Sequence, residues 1–429
     1  MATKKAIRAA LVSLDALAQG EPLRLAVSQG LRSESDLGPK ERRWAASAAR
    51  EVCRDLRRLD AFLAQAGLAL RTLIPQDKSL ARLLAVRLRV HGDDPKVALR
   101  ELALPGPRRP RSISDAQLAD VASKMPAELE LPEDPIARRA LQFSYPDWIL
   151  QELADAIPQG ELDPWLDANA AAPGLDLRVN LARAKPDDVR AELEKAGFAI
   201  EQGRFLPEAL RCEDRAALFD TSAFKQGRID VQDEASQLIV RLCGVSPGVK
   251  SLDFCAGAGG KSLALAALGA RVTATDGIAA RLKPLRERRK RAGAHIEIVD
   301  RAEGEFEVVL VDAPCSGLGA LAREPDGKWR LAKDALAALP DKQLAILEQA
   351  STHVAKGGRL VYATCSPLPE EDERVVERFL AKHPDFSQLP PARTLGEALA
   401  NRLGAEQAMR LWAHRHGTGS FFAALLARR

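Results

Sequence analysis

From Gly227 onward, short apolar runs alternate with longer amphipathic stretches, and this alternation restricts the fold of the 429-residue chain more than any other feature. Runs at Ser251–Phe254, Arg271–Thr275, Ile296–Val299, Val308–Val311 and Arg359–Tyr362 have the length and composition of buried strands. Helical segments at Lys261–Leu268, Ala279–Ala292 and Asp334–Ala355 lie between several of them. Parallel strands need such crossovers, so the pattern predicts an α/β, doubly wound sheet over residues 227–429.

The first 145 residues have a different period. Trp44, Ala48, Val52, Leu56, Leu59 and Leu63 recur every three or four positions between Lys40 and Leu70, and a second amphipathic stretch runs from Leu80 to Val90. Residues 1–145 therefore read as an all-helical domain, interrupted by a basic loop at Arg108, Arg109, Pro110 and Arg111. Residues 146–226 read as a small α+β module. It has a strand with alternating side chains at Leu175–Asn180, a helix at Lys185–Gly197 and an extended piece at Phe198–Arg204.

Charge is distributed unevenly. The net charge is +4, but residues 1–145 hold 25 Lys/Arg against 18 Asp/Glu, leaving −3 for the remainder. A basic helical domain can meet nucleic-acid phosphates, and it can equally be a solvated Arg-rich surface. None of the six cysteines forms a C-x-x-C pair, which argues against a zinc ribbon, and no metal site is expected. Neither a secretory signal nor a membrane-length apolar run is visible, so a reducing cytoplasm with free thiols is expected.

The segment Leu252–Lys261 is a strand that enters a glycine turn and then a helix. Cys255, Ala256, Gly257, Ala258, Gly259, Gly260 and Lys261 line that turn. Glycines allow a close backbone approach to a ligand, although a ligand-free tight turn reads the same way. The next strand ends at Asp276, nineteen residues after Gly257, the offset at which a carboxylate meets the ribose of an adenine nucleoside. Asp300 and Asp312 end the following two strands. Open α/β sheets bind ligands outside the carboxyl ends of their strands, so the three acids converge on one crevice. The spacing of a phosphate loop is absent, and an acid-lined crevice suits a cationic sulfonium better than a polyphosphate.

Cys315 and Cys365 both sit just past strand ends on the same side of the sheet, flanked by Pro, Ser and Gly. Either could be inert, but strand-end loops place thiols for chemistry. A thiolate that adds to carbon 6 of cytosine gives carbon 5 the enamine character needed to attack a methyl sulfonium. An acid near ring nitrogen 3 would stabilise the adduct, and Asp312 is the candidate.

These residues resemble those of the Sun-type RNA cytosine-5 methyltransferases, especially the RsmB-like ribosomal RNA enzymes. The similar motifs are Cys-Ala-Gly-Ala-Gly-Gly-Lys at 255–261, Asp-Ala-Pro-Cys-Ser-Gly at 312–317, Arg323 to Trp329, and Tyr-Ala-Thr-Cys-Ser at 362–366. Gly227 to Gln237 and Arg178-Val-Asn180 are similar as well. The resemblance implies a Rossmann-like S-adenosylmethionine-dependent methyltransferase domain, the small α+β module for RNA recognition, and a helical NusB-like RNA-binding domain at the N-terminus. It implies Cys365 as the nucleophile and Cys315 as the group assisting proton removal and release. It also implies Asp276, Asp300 and Asp312 at the ribose, the adenine, and the methionine end or target base. In DNA cytosine-5 methyltransferases the nucleophile follows a proline, which would favour Cys315, but Thr364-Cys365-Ser366 matches the RNA family.

The expected substrate is 16S ribosomal RNA, with transfer RNA as the alternative and a monomer as the default state. The competing readings are an inactive RNA-binding assembly factor and a methyltransferase of another class. Two departures from the family pattern occur: Gly419-Ser420 where Asp-Gly is usual, and Glu371-Asp372-Glu373 where Glu-Asn-Glu is common. Neither touches the cysteines or the acids in sequence, which points to substrate choice rather than activity.

Overall fold

The computed structural model describes residues 3–103, 112–171, 174–213 and 218–429; Arg108, Arg109 and Arg111 lie outside the described residues. The chain divides into two compact units, Met1–Asp155 with Arg323–Arg330, and Ala156–Ala322 with Leu331–Arg429.

The first unit is helical. Its helices begin where the sequence supplies starts. Pro39, Pro75, Pro95 and Pro135 occupy first-turn positions, where a missing N–H costs nothing, and Ser114, Asp94 and Asp134 cap backbone N–H groups. The stretch expected to run from Lys40 to Leu70 is two helices, Pro39–Arg54 and Leu56–Gln65. The break is at Asp55, whose ψ of 16° leaves the helical region while its carboxylate pairs with Arg58. The Pro75–Arg89 helix is the centre of the core, with Leu80, Leu83, Leu84 and Val86 buried. Arg323–Arg330 packs here too: Trp329 Nε1 donates to Cys53 O at 2.6 Å, and Leu23 N donates to Asp326 at 3.1 Å.

The second unit contains two sheets. The smaller comprises β1 (Leu175–Val179), β2 (Ile200–Gln202), β3 (Ala209–Cys212) and β4 (Ile229–Val231), antiparallel in the order β2-β3-β1-β4. Its fourth strand lies beyond residue 226, where the sequence placed the end of the small module. Strand β1 also departs from the expected alternation with solvent, because Asp176 and Arg178 are buried. Their face is internal: Arg211 pairs with Asp176, Arg178 donates to Gln232, and Gln237 of the Glu234–Leu242 helix donates to Leu177 O.

The larger sheet begins with β5 (Lys250–Asp253), β6 (Arg271–Ala274), β7 (Ile296–Ile298), β8 (Phe306–Asp312) and β9 (Val354–Thr364). These are the five strands expected, all parallel, in the order β9-β8-β5-β6-β7. Chain order reverses between β5 and β8, which makes the crevice at their carboxyl ends the topological switch point. Three further strands were not anticipated: β10 (Phe386–Leu389), β11 (Met409–Leu411) and β12 (Phe421–Arg428). Strand β12 lies antiparallel against β9, with β10 and β11 pairing to it. The helix expected over Asp334–Ala355 is divided into Lys333–Ala337 and Leu339–Ser351, and Val354 already belongs to β9. No helix among the described residues is long and apolar enough to cross a membrane.

Candidate active site

Strands β5, β6, β8 and β9 deliver Asp253, Asp276, Asp312 and Cys365 to one edge of the sheet. The turn after β5 has its backbone reversed by Gly257 and Gly259, at φ of 50° and 80°. A Cβ on Gly259 would lie 2.2 Å from Leu285 Cδ1, so the turn closes on the next helix only because that position is glycine. Asp276 is buried and held by backbone: Oδ2 accepts from Gly257 N at 3.0 Å and Oδ1 from Ile278 N at 2.8 Å. Asp300 is exposed, and its carbonyl accepts from Thr275 Oγ1.

Lys261, expected as part of the turn, reaches across to Asp312, Nζ to Oδ2 at 2.6 Å. Burial disfavours its charge, but the Asp312 carboxylate, with Cys365 behind it, more than compensates, so the ammonium is held above its usual range. Asp312 keeps about a third of its side chain exposed, at 34%. Beneath this pair, Asp253 is fully enclosed; among the described residues it accepts only from Ser262 Oγ, at 2.6 Å, and its Oδ1 has no partner. Burial pushes its pKa up to about 7.

The two strand-end cysteines meet. Cys315 Sγ is 3.3 Å from Cys365 Sγ and also accepts from Cys365 N at 3.3 Å. The bond to Cys365, then burial, then the charges of Cys365 and Glu371 raise the Cys315 thiol well above its usual value. The two thiols have different electrostatic surroundings. Cys315 has a carboxylate close by, and Cys365 has the Lys261 ammonium.

Sequence reasoning missed Glu371. It is fully buried and links both cysteine loops: Oε2 accepts from Ser316 N at 2.8 Å and Gln343 Nε2 at 2.9 Å, and Oε1 from Ser366 Oγ at 2.6 Å. Next to it, Asp372 accepts from Thr364 Oγ1 and pairs with Arg410 at 2.9 Å. The other departure is equally near. Gly319 N donates to Cys365 O, and Ser420 N donates to Gly319 O, both at 2.9 Å. Ser420 Oγ accepts from Trp165 Nε1 and Ala413 N. Both departures therefore border the cysteine loops in space, although neither replaces a cysteine or one of the three acids. The sequence signals for Glu371 were its position six residues after Cys365 and its place as the first residue of Glu371-Asp372-Glu373.

Two family models match the chain. One described as 16S rRNA methyltransferase RsmB/F covers residues 245–427, and one described as an RsmF/B-like methyltransferase ferredoxin-like domain covers residues 145–218. The probable ribosomal RNA small subunit methyltransferase B of Bacillus subtilis (strain 168) is 32% identical over 306 residues, 68% of either chain. The putative methyltransferase Rv1407 of Mycobacterium tuberculosis is 36% identical over 321 residues, 69% of this chain and 66% of its own length. Among solved structures, that of PH0851 is similar at a TM-score of 0.80 and 24% identity, covering 99% of both chains. NSun6 from Pyrococcus horikoshii, solved with SFG, is similar at a TM-score of 0.55 and 18% identity, covering 65% of this chain and 97% of its own. The last two likenesses concern the fold.

Proposed function

Since the chain belongs to the RsmB/F family of ribosomal RNA methyltransferases, with S-adenosylmethionine as its cofactor, we propose that it methylates carbon 5 of a cytosine in 16S ribosomal RNA through a covalent Cys365 adduct. The observation that carries this reading is the pair of thiols 3.3 Å apart past the ends of β8 and β9, one beside a cation and the other beside a carboxylate.

The cofactor fits the crevice. A Cβ on Gly257 would stand 4.0 Å from Asp276 Oδ2, in the space over that carboxylate, and the donor set is acidic, as a sulfonium requires. The turn from Cys255 to Lys261 would hold it together with Asp276, Asp300 at the adenine end and Asp312 at the methionine end. When bound, S-adenosylmethionine supplies an electrophilic methyl group.

The protein's own groups do the rest. The Cys365 thiolate forms a C–S bond to cytosine carbon 6, and the Lys261–Asp312 pair gives a proton to ring nitrogen 3 as charge builds there. Carbon 5, now an enamine carbon, takes the methyl. Cys315, 3.3 Å from the Cys365 sulfur, lies beside the adduct. Cys315 gives up its thiol proton to solvent and then accepts the proton on carbon 5. The C–S bond breaks, the thiolate returns to Cys365, and the nitrogen proton returns to the pair. The helical first unit, basic overall, is assigned to RNA binding.

The test uses 16S and transfer RNA from cells lacking this protein, with labelled S-adenosylmethionine and each of wild type, Cys365→Ala and Cys315→Ala. Label in 5-methylcytosine of 16S RNA is expected with wild type only. Cys365→Ala should fall by at least about a thousandfold with cofactor binding intact. Cys315→Ala should leave a protein–RNA adduct that survives denaturation. An adduct formed by Cys365→Ala would assign the nucleophile to Cys315, and label only in transfer RNA would reassign the substrate.

A further inference from the structure

The helix Lys283–Ala292, which follows β6, carries six basic residues in ten, Lys283, Arg286, Arg288, Arg289, Lys290 and Arg291, against one acid, Glu287. Three of the arginines fasten it. Arg288 donates to the carbonyl of Ala258 in the cofactor turn at 2.7 Å and to Asp230 of β4 at 2.9 Å. Arg291 pairs with the other Asp230 oxygen at 3.0 Å and lies 3.9 Å over the Phe224 ring. Arg289 donates to Ile296 O.

The other basic residues do none of this. Lys283, Arg286 and Lys290 are exposed and, at spacings of three and four, share one helical face, with exposed Arg281 in the turn before it. Lys290 has only a loose contact, 3.7 Å, with an equally exposed Glu287. The side chains of Arg281, Lys283 and Arg286 make no hydrogen bond or ion pair among the described residues.

Nor does helix stability account for them. Cations favour the C-terminal end of a helix, where Arg289, Lys290 and Arg291 sit; at the N-terminal end they oppose the helix dipole. Lys283 and Arg286 occupy that end, with no acid in the first turn. A solvated face selected for helix stability would carry Asp or Glu there. The location is informative as well. The middle of the helix bonds to the cofactor turn through Arg288, and Leu285 near its start faces Gly259 of that turn. Its C-terminal end bonds to the small sheet's surroundings: Asn180 Nδ2 donates to Ala292 O, and Arg183 to Arg291 O.

We propose that Arg281, Lys283, Arg286 and Lys290 form a track for the phosphate backbone of the RNA substrate, running from the small α+β module to the rim of the cofactor crevice. This rests on the function proposed above and specifies where its RNA lies. The contacts are electrostatic and carry no sequence information, so they set affinity rather than the choice of cytosine.

The test is the full-length triple variant Lys283→Gln/Arg286→Gln/Lys290→Gln, with transcribed 16S RNA as the probe over a range of salt concentrations. Loss of three phosphate contacts should lower the slope of log affinity against log salt by about 2, at about 0.7 per contact. The KM for RNA should rise about tenfold at moderate salt, with the change in KM rather than kcat and cofactor affinity within about twofold of wild type. The melting temperature should hold or rise, because cations leave a helix N-terminus. An unchanged slope and KM, with wild type binding RNA, would overturn the track and leave the methyltransferase reading standing. Loss of cofactor affinity would also overturn it, by placing these residues in the cofactor site. A wild type that binds no RNA would remove the RNA substrate itself, and the track with it.

Discussion

At the scale of single residues, the site is organised around charges that sequence spacing cannot locate. Asp312 and Cys315 are three positions apart, yet they take different partners, Lys261 and Glu371. Glu371 acts through the loops it holds and is a positioning residue. Replacing it by Ala removes three hydrogen bonds and a charge, and kcat should fall about 100-fold, the cost of misplacing reacting groups by roughly an ångström. Glu371→Gln keeps most of the bonds but removes the charge. With it, iodoacetamide labelling of Cys315 at pH 8, mapped by mass spectrometry, should rise relative to Cys365. If labelling is unchanged in both variants, Glu371 serves packing alone. The two cysteines were legible as candidates because each lies just past a strand end in its own motif. The clamp between them was not, because Glu371 meets Ser316 only when β8 and β9 lie side by side.

At the scale of elements, the five parallel strands were legible because each is a short β-rich run bounded by turn residues. Strand β5 carries a consequence beyond its packing. Asp253, at its end, has its pKa pushed from an ordinary 3.8 to about 7 by burial. A raised folded-state pKa means that protonation favours the native state. Stability should therefore be full below about pH 4 as far as this group is concerned, and decline as pH rises through about 7. Melting temperature measured from pH 5 to pH 8 should fall in wild type and fall less in Asp253→Asn. Equal slopes would mean that Asp253 is ionised in the native protein throughout. Strands β10 to β12 show the opposite case. The run Phe421–Arg428 is rich in Ala and Leu, which favour helix, yet six consecutive residues from Phe421 are buried and the run pairs with β9. Ladder pairing and two-sided burial outweigh intrinsic preferences worth a few tenths of a kcal/mol per residue.

At the scale of the whole molecule, compact units do not follow chain order. Arg323–Arg330 arises between β8 and β9 but belongs to the helical unit, where Trp329 bonds to Cys53 O and Lys328 Nζ lies 4.2 Å over the Tyr145 ring and donates to Arg54 O. Trp329→Ala should destabilise the helical unit by about 2–3 kcal/mol, read by denaturant unfolding, with little effect on cofactor affinity. A loss below about 0.5 kcal/mol would show the segment to be passively seated. The amino-acid sequence by itself determined the strand and helix periods, the glycine turn, and the acids and thiols at strand ends, because these depend on local periodicity and on neighbours a few residues away. Tertiary structure alone decided which strands joined the far edge of the sheet, which thiol faces a cation, what clamps the cysteine loops, and that Arg323–Arg330 belongs to the helical unit. Each of these depends on groups distant in the chain that meet only when burial makes their pairing cheaper than solvation.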